Sequence, residues 1–268
     1  MADLRADALW FHYTPGVPVL RGIDLSFAPG ATALVGQNGA GKSTFVRLLN
    51  GLLKPAEGRV TVDGVDTREN TVAQLARTVG LVFQNPADQL FRSKVIEEVM
   101  FGPQNLGAEA EEARERAERT LAQLELSEFA ESNPYDLGLA ERKMVTVAGV
   151  VAMETDVVIL DEPTIAQDLR GTEKLGEVVE RLRAAGRTVI TITHDMDFVA
   201  RYFSRVVVLT DGRVVADGPA AEVFGDEEAL SAAGLEPPQV TRLGRAVGLD
   251  ETVVTLEELY RAFSTKGA

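Results

Sequence analysis

One short stretch constrains this chain more than any other: Gly36-Gln37-Asn38-Gly39-Ala40-Gly41-Lys42-Ser43-Thr44. It fits the spacing G-x-x-x-x-G-K-[ST], in which backbone N–H groups of a glycine-rich turn cradle phosphates. Glycines at 36, 39 and 41 let the backbone crowd around an anion without Cβ clashes. Lys42 brings charge to the β- and γ-phosphates, and the Ser43 hydroxyl is a ligand for Mg²⁺. An apolar run, Ala31 to Val35, precedes the loop, and Phe45 to Leu49 reads as a helix after it. The N-terminus of that helix adds partial positive charge at the phosphates. A strand, a phosphate loop and a helix in this order predict an α/β core that binds a nucleotide.

The rest of the chain bounds what such a core can serve. At 268 residues it accommodates one large domain, or one domain and a small appendage. Its hydrophobic content of 45% suffices for an ordinary core. Lysine and arginine total 27 against 41 aspartates and glutamates, a net charge of −14. That balance argues against broad binding to nucleic acid or anionic lipid, though not against docking to a membrane protein. There is no cysteine, so disulfides and thiolate metal sites are excluded, which suits the cytosol. The first residues include Asp3 and Asp7 and no apolar core of a signal peptide. No apolar run approaches the roughly 18 residues of a spanning helix, so any membrane role is expected to be peripheral.

Ala8 to Tyr13 and Val17 to Phe27 alternate as strands, broken by Pro15-Gly16 and ended by Pro29-Gly30. Arg59 to Val62 and the apolar Val79 to Phe83 are further strands. Glu109 to Leu126 is predicted to be a helix with Ala110, Ala113, Ala117, Leu121 and Leu124 on its apolar stripe. Glu112 with Arg116, and Glu115 with Arg119, are expected i,i+4 pairs on its wet side. Val157 to Leu160 is a buried strand, Leu175 to Leu182 an amphipathic helix closed by Ala185-Gly186, and Thr188 to Thr193 another strand. Strands alternating with helices imply a mainly parallel sheet. Asp211-Gly212 between Val206 to Leu209 and Arg213 to Ala216 marks a hairpin. Beyond Phe224 the composition shifts, with Pro237-Pro238 and a weak helical pattern from Thr255 to Phe263.

Further features complete the phosphate loop. Asp161-Glu162 ends the strand Val157 to Leu160: the first acid can hold Mg²⁺ and the second can orient or deprotonate an attacking water. Gln84 follows Val79 to Phe83, and its amide can ligate Mg²⁺ and water from a loop. His194 follows Thr188 to Thr193, where an imidazole can hydrogen-bond a γ-phosphate. Tyr13 offers an aromatic face to adenine. Taken singly, Gln84 reads as a loop residue, His194 as a sheet-edge histidine and Tyr13 as core; His12 is assigned to the strand pattern.

The order of these features, with Leu160-Asp161-Glu162-Pro163-Thr164 and Thr193-His194-Asp195, resembles the nucleotide-binding domain of ATP-binding cassette (ABC) ATPases over about residues 8 to 225. The resemblance implies ATP sandwiched between two such domains. It implies Tyr13 on adenine, Lys42 and Thr44 on phosphates, and Ser43, Gln84 and Asp161 on Mg²⁺. It casts Glu162 as catalytic base and His194 as γ-phosphate sensor, with Gly36, Gln37, Asn38, Gly39, Ala40 and Gly41 completing the cradle. The implied fold is a P-loop α/β core with an antiparallel β-subdomain and a helical subdomain inserted at about 84–153. The nucleotide-binding domain would span 1–226 and a small C-terminal extension 227–268.

Two strings narrow the resemblance: Gln84-Asn85-Pro86-Ala87-Asp88-Gln89-Leu90-Phe91, and Phe101-Gly102-Pro103-Gln104-Asn105-Leu106-Gly107. Both are similar to the energy-coupling-factor (ECF) importers of vitamins, cobalt and nickel, as is Leu235-Glu236-Pro237-Pro238-Gln239-Val240-Thr241-Arg242-Leu243. That resemblance implies an ATPase peripheral on the cytoplasmic face of the cell membrane. Its partners would be a second ABC ATPase subunit, a transmembrane coupling protein and a membrane substrate-binding protein, and no nucleic acid. The competing expectation is a soluble ABC ATPase acting on nucleic acid or ribosomes; a single cassette and a charge of −14 weigh against it.

The chain departs from the family twice. Leu137-Gly138-Leu139-Ala140-Glu141 stands where the family has Leu-Ser-Gly-Gly-Gln, so a hydroxyl is lost and a carboxylate gained. Arg142 and Lys143 are placed to offset part of that charge. Ile165-Ala166-Gln167-Asp168 stands for Ala-Gly-Leu-Asp. Intact hydrolytic residues beside a damaged signature predict an asymmetric heterodimer, in which a partner's signature closes over this chain's phosphate loop.

Overall fold

The computed structural model describes residues 3–266. Strands β1 (Leu4–Phe11), β2 (Leu20–Phe27) and β3 (Gly30–Val35) lead into the glycine loop and helix α1 (Lys42–Leu49). Then come β4 (Glu57–Val62), β5 (Val65–Asp66), the short α2 (Val72–Leu75) and β6 (Val79–Val82). Three helices, α3 (Val95–Asn105), α4 (Ala110–Gln123) and α5 (Leu139–Val151), intervene before β7 (Val157–Asp161). They are followed by α6 (Leu169–Ala184), β8 (Thr188–Ile192), α7 (Met196–Tyr202), β9 (Arg205–Thr210) and β10 (Arg213–Pro219). Helices α8 (Ala220–Gly225), α9 (Glu227–Ala232), α10 (Gln239–Ala246) and α11 (Leu256–Lys266) complete the described chain.

The strands form two sheets. One is antiparallel, in the order β2-β1-β4-β5. The other runs β10-β9-β3-β8-β7-β6 and is parallel except for β10. Burial separates them as the sequence patterns do: β7 and β8 are buried at every position, whereas β2 alternates. A strand covered on both faces needs apolar side chains on both; a strand with one wet face does not. Successive residues of β7 therefore serve different cores. Val157 and Ile159 join α1 and the antiparallel sheet, while Val158 and Leu160 join the helices on the other side.

Several local expectations are corrected. β1 begins at Leu4 and stops at Phe11, leaving His12 and Tyr13 beyond its end. Its register shifts around Ala8, whose φ is +44° and whose N–H donates to Asp24 Oδ1 at 2.7 Å. A bulge of this kind inserts a residue and breaks the alternation from which a boundary is read. β2 starts only at Leu20; Val17 makes an isolated bridge to Thr14. On α4, Ala110 is exposed and Thr120 takes a buried place on the stripe. Glu112 and Arg116 do pair, but Arg119 turns to Glu154, 2.7 Å away, rather than to Glu115. The hairpin between β9 and β10 has the two positive-φ residues of a tight turn, Asp211 at +47° and Gly212 at +74°.

Among the C-terminal helices, Leu230 and Ala233 join the main core, while Leu249, Val253, Leu259 and Ala262 make a small core of their own with Val240 packed against it. The extension also approaches the phosphate loop: a Cβ on Gly234 would overlap the Gln37 side chain.

Candidate functional site

Because β3, β6, β7 and β8 are parallel, their carboxyl ends lie along one edge of the sheet, where ligands of open α/β sheets bind. The phosphate loop follows β3, Gln84 stands two residues past β6, Asp161 ends β7 and His194 stands two residues past β8. One cavity is lined by Asn38, Lys42, Ser43, Thr44, Gln84 and Glu162. The topology thus gathers residues that are far apart in the chain.

The loop itself depends on glycine at two places. Gly36 has φ +152°, and a Cβ there would lie 2.1 Å from the carbonyl oxygen of Leu209. Gly41, which begins α1, has φ +102° and would press a Cβ to 2.7 Å from Leu20 Cδ2. Lys42 folds back over the loop, its ammonium donating to the carbonyl oxygens of Gly36 at 2.7 Å and Gln37 at 3.0 Å. Burial lowers the Lys42 pKa, against the opposite pull of Glu162 and Asp161.

The two carboxylates are set up differently. Asp161 is buried, and desolvation raises its pKa, only partly offset by a hydrogen bond from Ser43. Its Oδ1 has no hydrogen-bond partner among the described residues. A buried carboxylate oxygen without a donor, beside a serine hydroxyl, is the oxygen donor set that Mg²⁺ takes. Glu162 is also buried, with its backbone in the left-handed region at φ +49°. Such a conformation is costly for a non-glycine residue and is characteristic of functional sites. Its N–H donates to the Ile192 carbonyl at 2.8 Å, and its Oε2 lies 2.9 Å from Nδ1 of the exposed His194. Nearby, the hydroxyls of Thr164 and Thr193 lie 3.2 Å apart and tie the loops beyond the carboxylates and before the histidine.

Tyr13 is no core residue. Its ring is 58% exposed, stands edge-on to Phe11, and reaches Thr44 Oγ1 with its hydroxyl at 3.2 Å. A ring this exposed beside the phosphate loop is accessible to a planar base.

The altered signature begins α5, with Gly138 as N-cap and no side-chain cap bond. A Cβ at Gly138 would fall 2.4 Å from Glu141 Oε2, so that carboxylate is folded over the head of the helix. An acid three residues into a helix is favoured there by the same partial charge that attracts anions. The expected compensation by the next two residues is not what the side chains do. Arg142 donates to the carbonyl oxygens of Leu137 and Tyr135, both at 2.9 Å. Lys143 points inward and is buried. In the second altered loop Ala166 has φ +65°, and Gln167 Nε2 donates to Ala140 O at 3.1 Å.

Lys143 is the residue that the sequence reading misplaced. Its ammonium donates to the carbonyl oxygens of Phe83, Gln84 and Asp161. The available signal was a lysine beside Met144, Val145 and Val147 in a run otherwise suited to burial.

A sequence profile of the ABC transporter family matches residues 20–165. A Pyrococcus furiosus protein assigned as an ABC transporter ATP-binding protein is 42% identical over 96% of this chain and 98% of its own. The cobalt import ATP-binding protein CbiO of Rhodobacter capsulatus is 42% identical over 90% of this chain and 87% of that protein. Among solved structures, cbiO1 of Clostridium perfringens, described as part of the ABC transporter complex cbiONQ, superposes with a TM-score of 0.75. It is 33% identical and covers 91% of this chain and 98% of that one. The chain belongs to the ABC transporter family, as an ATP-binding subunit whose ATP hydrolysis is coupled to transport.

Proposed function

We propose that this chain is the ATPase of an ECF-type importer of a micronutrient, a vitamin or a metal ion, and that it works as one half of an asymmetric heterodimer. The importer reading is supported by the likeness to CbiO and cbiO1 and by the strings at 84–91, 101–107 and 235–243. In this reading residues 1–226 are the nucleotide-binding domain and 227–268 an extension. No helix among the described residues is long and apolar enough to cross a membrane, so attachment would be through partners on the cytoplasmic face. An open apolar groove between α3, α5 and β6, bordered by Phe83, Leu90, Phe101, Val150 and Met153, is suited to receive a helix of the transmembrane coupling protein.

Each site residue then has a chemical task. Tyr13 stacks on adenine; Lys42 supplies positive charge to the phosphates, and the loop amides and Thr44 donate hydrogen bonds to them. Ser43, Gln84 and Asp161 would hold Mg²⁺, which when bound would supply positive charge to the transferring phosphoryl group. Glu162 accepts a proton from the attacking water. His194, exposed and free to leave Glu162, hydrogen-bonds the γ-phosphate.

The observation that carries the asymmetric reading is the Glu141 carboxylate against Gly138. The head of α5 already holds a negative charge where the family presents a hydroxyl and amides to a second subunit's ATP. The test is affinity purification of the tagged chain from solubilised membranes. A second cassette with small hydrophobic membrane proteins is expected; ribosomes or DNA in their place would instead favour a soluble ATPase acting on those.

A further inference from the structure

Lys143, on α5, is only 1% exposed, yet it carries a charge. Its ammonium donates to the carbonyl oxygens of Gln84 at 2.8 Å, Phe83 at 2.9 Å and Asp161 at 3.0 Å. An ammonium has three donors, so each is used. The acceptors lie where two neighbouring strands end. β6 and β7 pair as far as Val82 and Leu160, and the backbone diverges just beyond. Three carbonyl dipoles converge there, that of Asp161 fully buried and those of Phe83 and Gln84 partly so, and an apolar side chain would leave them without this donor. The cation is held against a desolvation cost: burial brings the Lys143 pKa down to about 8, despite the opposing pull of Asp161 and Glu162.

Two of the elements so joined end at the nucleotide cavity. Gln84 lines it, and Asp161 holds the unpartnered oxygen behind it. Helix α5 begins with the altered signature at Gly138. A second tie runs alongside: Gln89 accepts from Phe83 N–H at 3.1 Å and donates to Thr146 O, on α5, at 3.4 Å. The loop carrying Gln84 is therefore fastened to α5 as well as to its own strand.

We infer that Lys143 is a positioning residue for the nucleotide site: its buried ammonium fixes the backbones of Gln84 and Asp161 to each other and to α5, so that Mg²⁺ ligation follows the position of that helix. The inference rests on the reading of Gln84 and Asp161 as Mg²⁺ ligands. Lys143 does not line the nucleotide cavity; its three donors are spent on backbone carbonyls. It acts through two backbones, as outer partners of metal ligands do.

The test uses the full chain with Lys143→Met and Lys143→Gln. A fluorescent ATP analogue is bound first in chelator and then across a Mg²⁺ titration, with melting temperature recorded for each protein. Lys143→Met should keep its Mg²⁺-free affinity within about twofold of the parent, while the Mg²⁺ concentration for half-maximal effect rises roughly ten- to a hundredfold. Lys143→Gln retains two donors and should fall between. Asp161→Asn and Gln84→Ala, measured alongside, should also raise the Mg²⁺ requirement. If neither does, the ligand reading fails and the inference falls with it. If they raise it and the Lys143 variants do not, the inference alone is overturned. A loss of Mg²⁺-free affinity in step with melting temperature would assign Lys143 a structural role only and would also overturn it. Should Lys143→Met fail to fold, Lys143→Gln decides by the same readings.

Discussion

His194 Nδ1 and Glu162 Oε2 lie 2.9 Å apart, joining an exposed imidazole to a buried carboxylate across the ends of β8 and β7. The pair orients Glu162, the one carboxylate among the described residues that line the nucleotide cavity. Glu162→Gln preserves that shape and removes the base. It should leave ATP binding intact and slow phosphate release by the assembled complex by about 10²–10⁴-fold, trapping an ATP-loaded dimer. Turnover at the parent rate would place the base elsewhere.

Lys42→Ala removes the ammonium that now bridges the carbonyls of Gly36 and Gln37. Nucleotide affinity should fall and turnover should be abolished, because no other cation among the described residues lines the cavity with the phosphate loop. Binding of a fluorescent ATP analogue and phosphate release measure the two effects. Unchanged hydrolysis would refute the assignment of the loop.

Ala166 is exposed and holds φ +65° where the family has glycine. The left-handed conformation costs an alanine about 1–2 kcal/mol, and glycine's extra chain entropy returns roughly 0.5–1 of that. Ala166→Gly should therefore raise the melting temperature by about 1–3 °C. A lower melting temperature would show that the loop is held in this shape by something the alanine itself supplies.

Glu98 is buried and accepts the N–H groups of Phe91 and Arg92 at 2.8 and 2.7 Å, fixing the lip of the apolar groove. Phe91 stands edge-on to Phe101, with the Arg92 guanidinium near both rings. Ala87 and Arg92 are exposed on this side, and the chain has no cysteine of its own. Single cysteines at Ala87 and Arg92 should crosslink to the membrane partner. Crosslinks to another cassette and to nothing else would move the docking surface elsewhere.

The parts of the fold legible in the sequence were those with a strong local signal. The fully apolar β7 and β8, the glycine loop before α1, and the hairpin turn at Asp211-Gly212 each announce their backbone conformation. The parallel order then brings Gln84, Asp161, Glu162 and His194 to the phosphate loop, as their positions at strand ends implied. What escaped was set by tertiary contact. The bulge at Ala8 depends on Asp24, sixteen residues away. The choice of Glu154 over Glu115 by Arg119 depends on the turn after α5. Lys143 was expected, with Arg142, to offset part of the Glu141 charge; only the convergence of three carbonyls from the ends of two strands explains its burial.

In the proposed heterodimer this chain supplies a competent ATP site but no working signature of its own. Phosphate release by the purified chain alone, and after mixing with a second cassette that the affinity purification is expected to recover, tests this most directly. Little turnover is expected from the chain alone and brisk turnover from the mixture, because Gly138 offers no hydroxyl and Glu141 brings its carboxylate to the head of α5. Brisk turnover by this chain alone would contradict it.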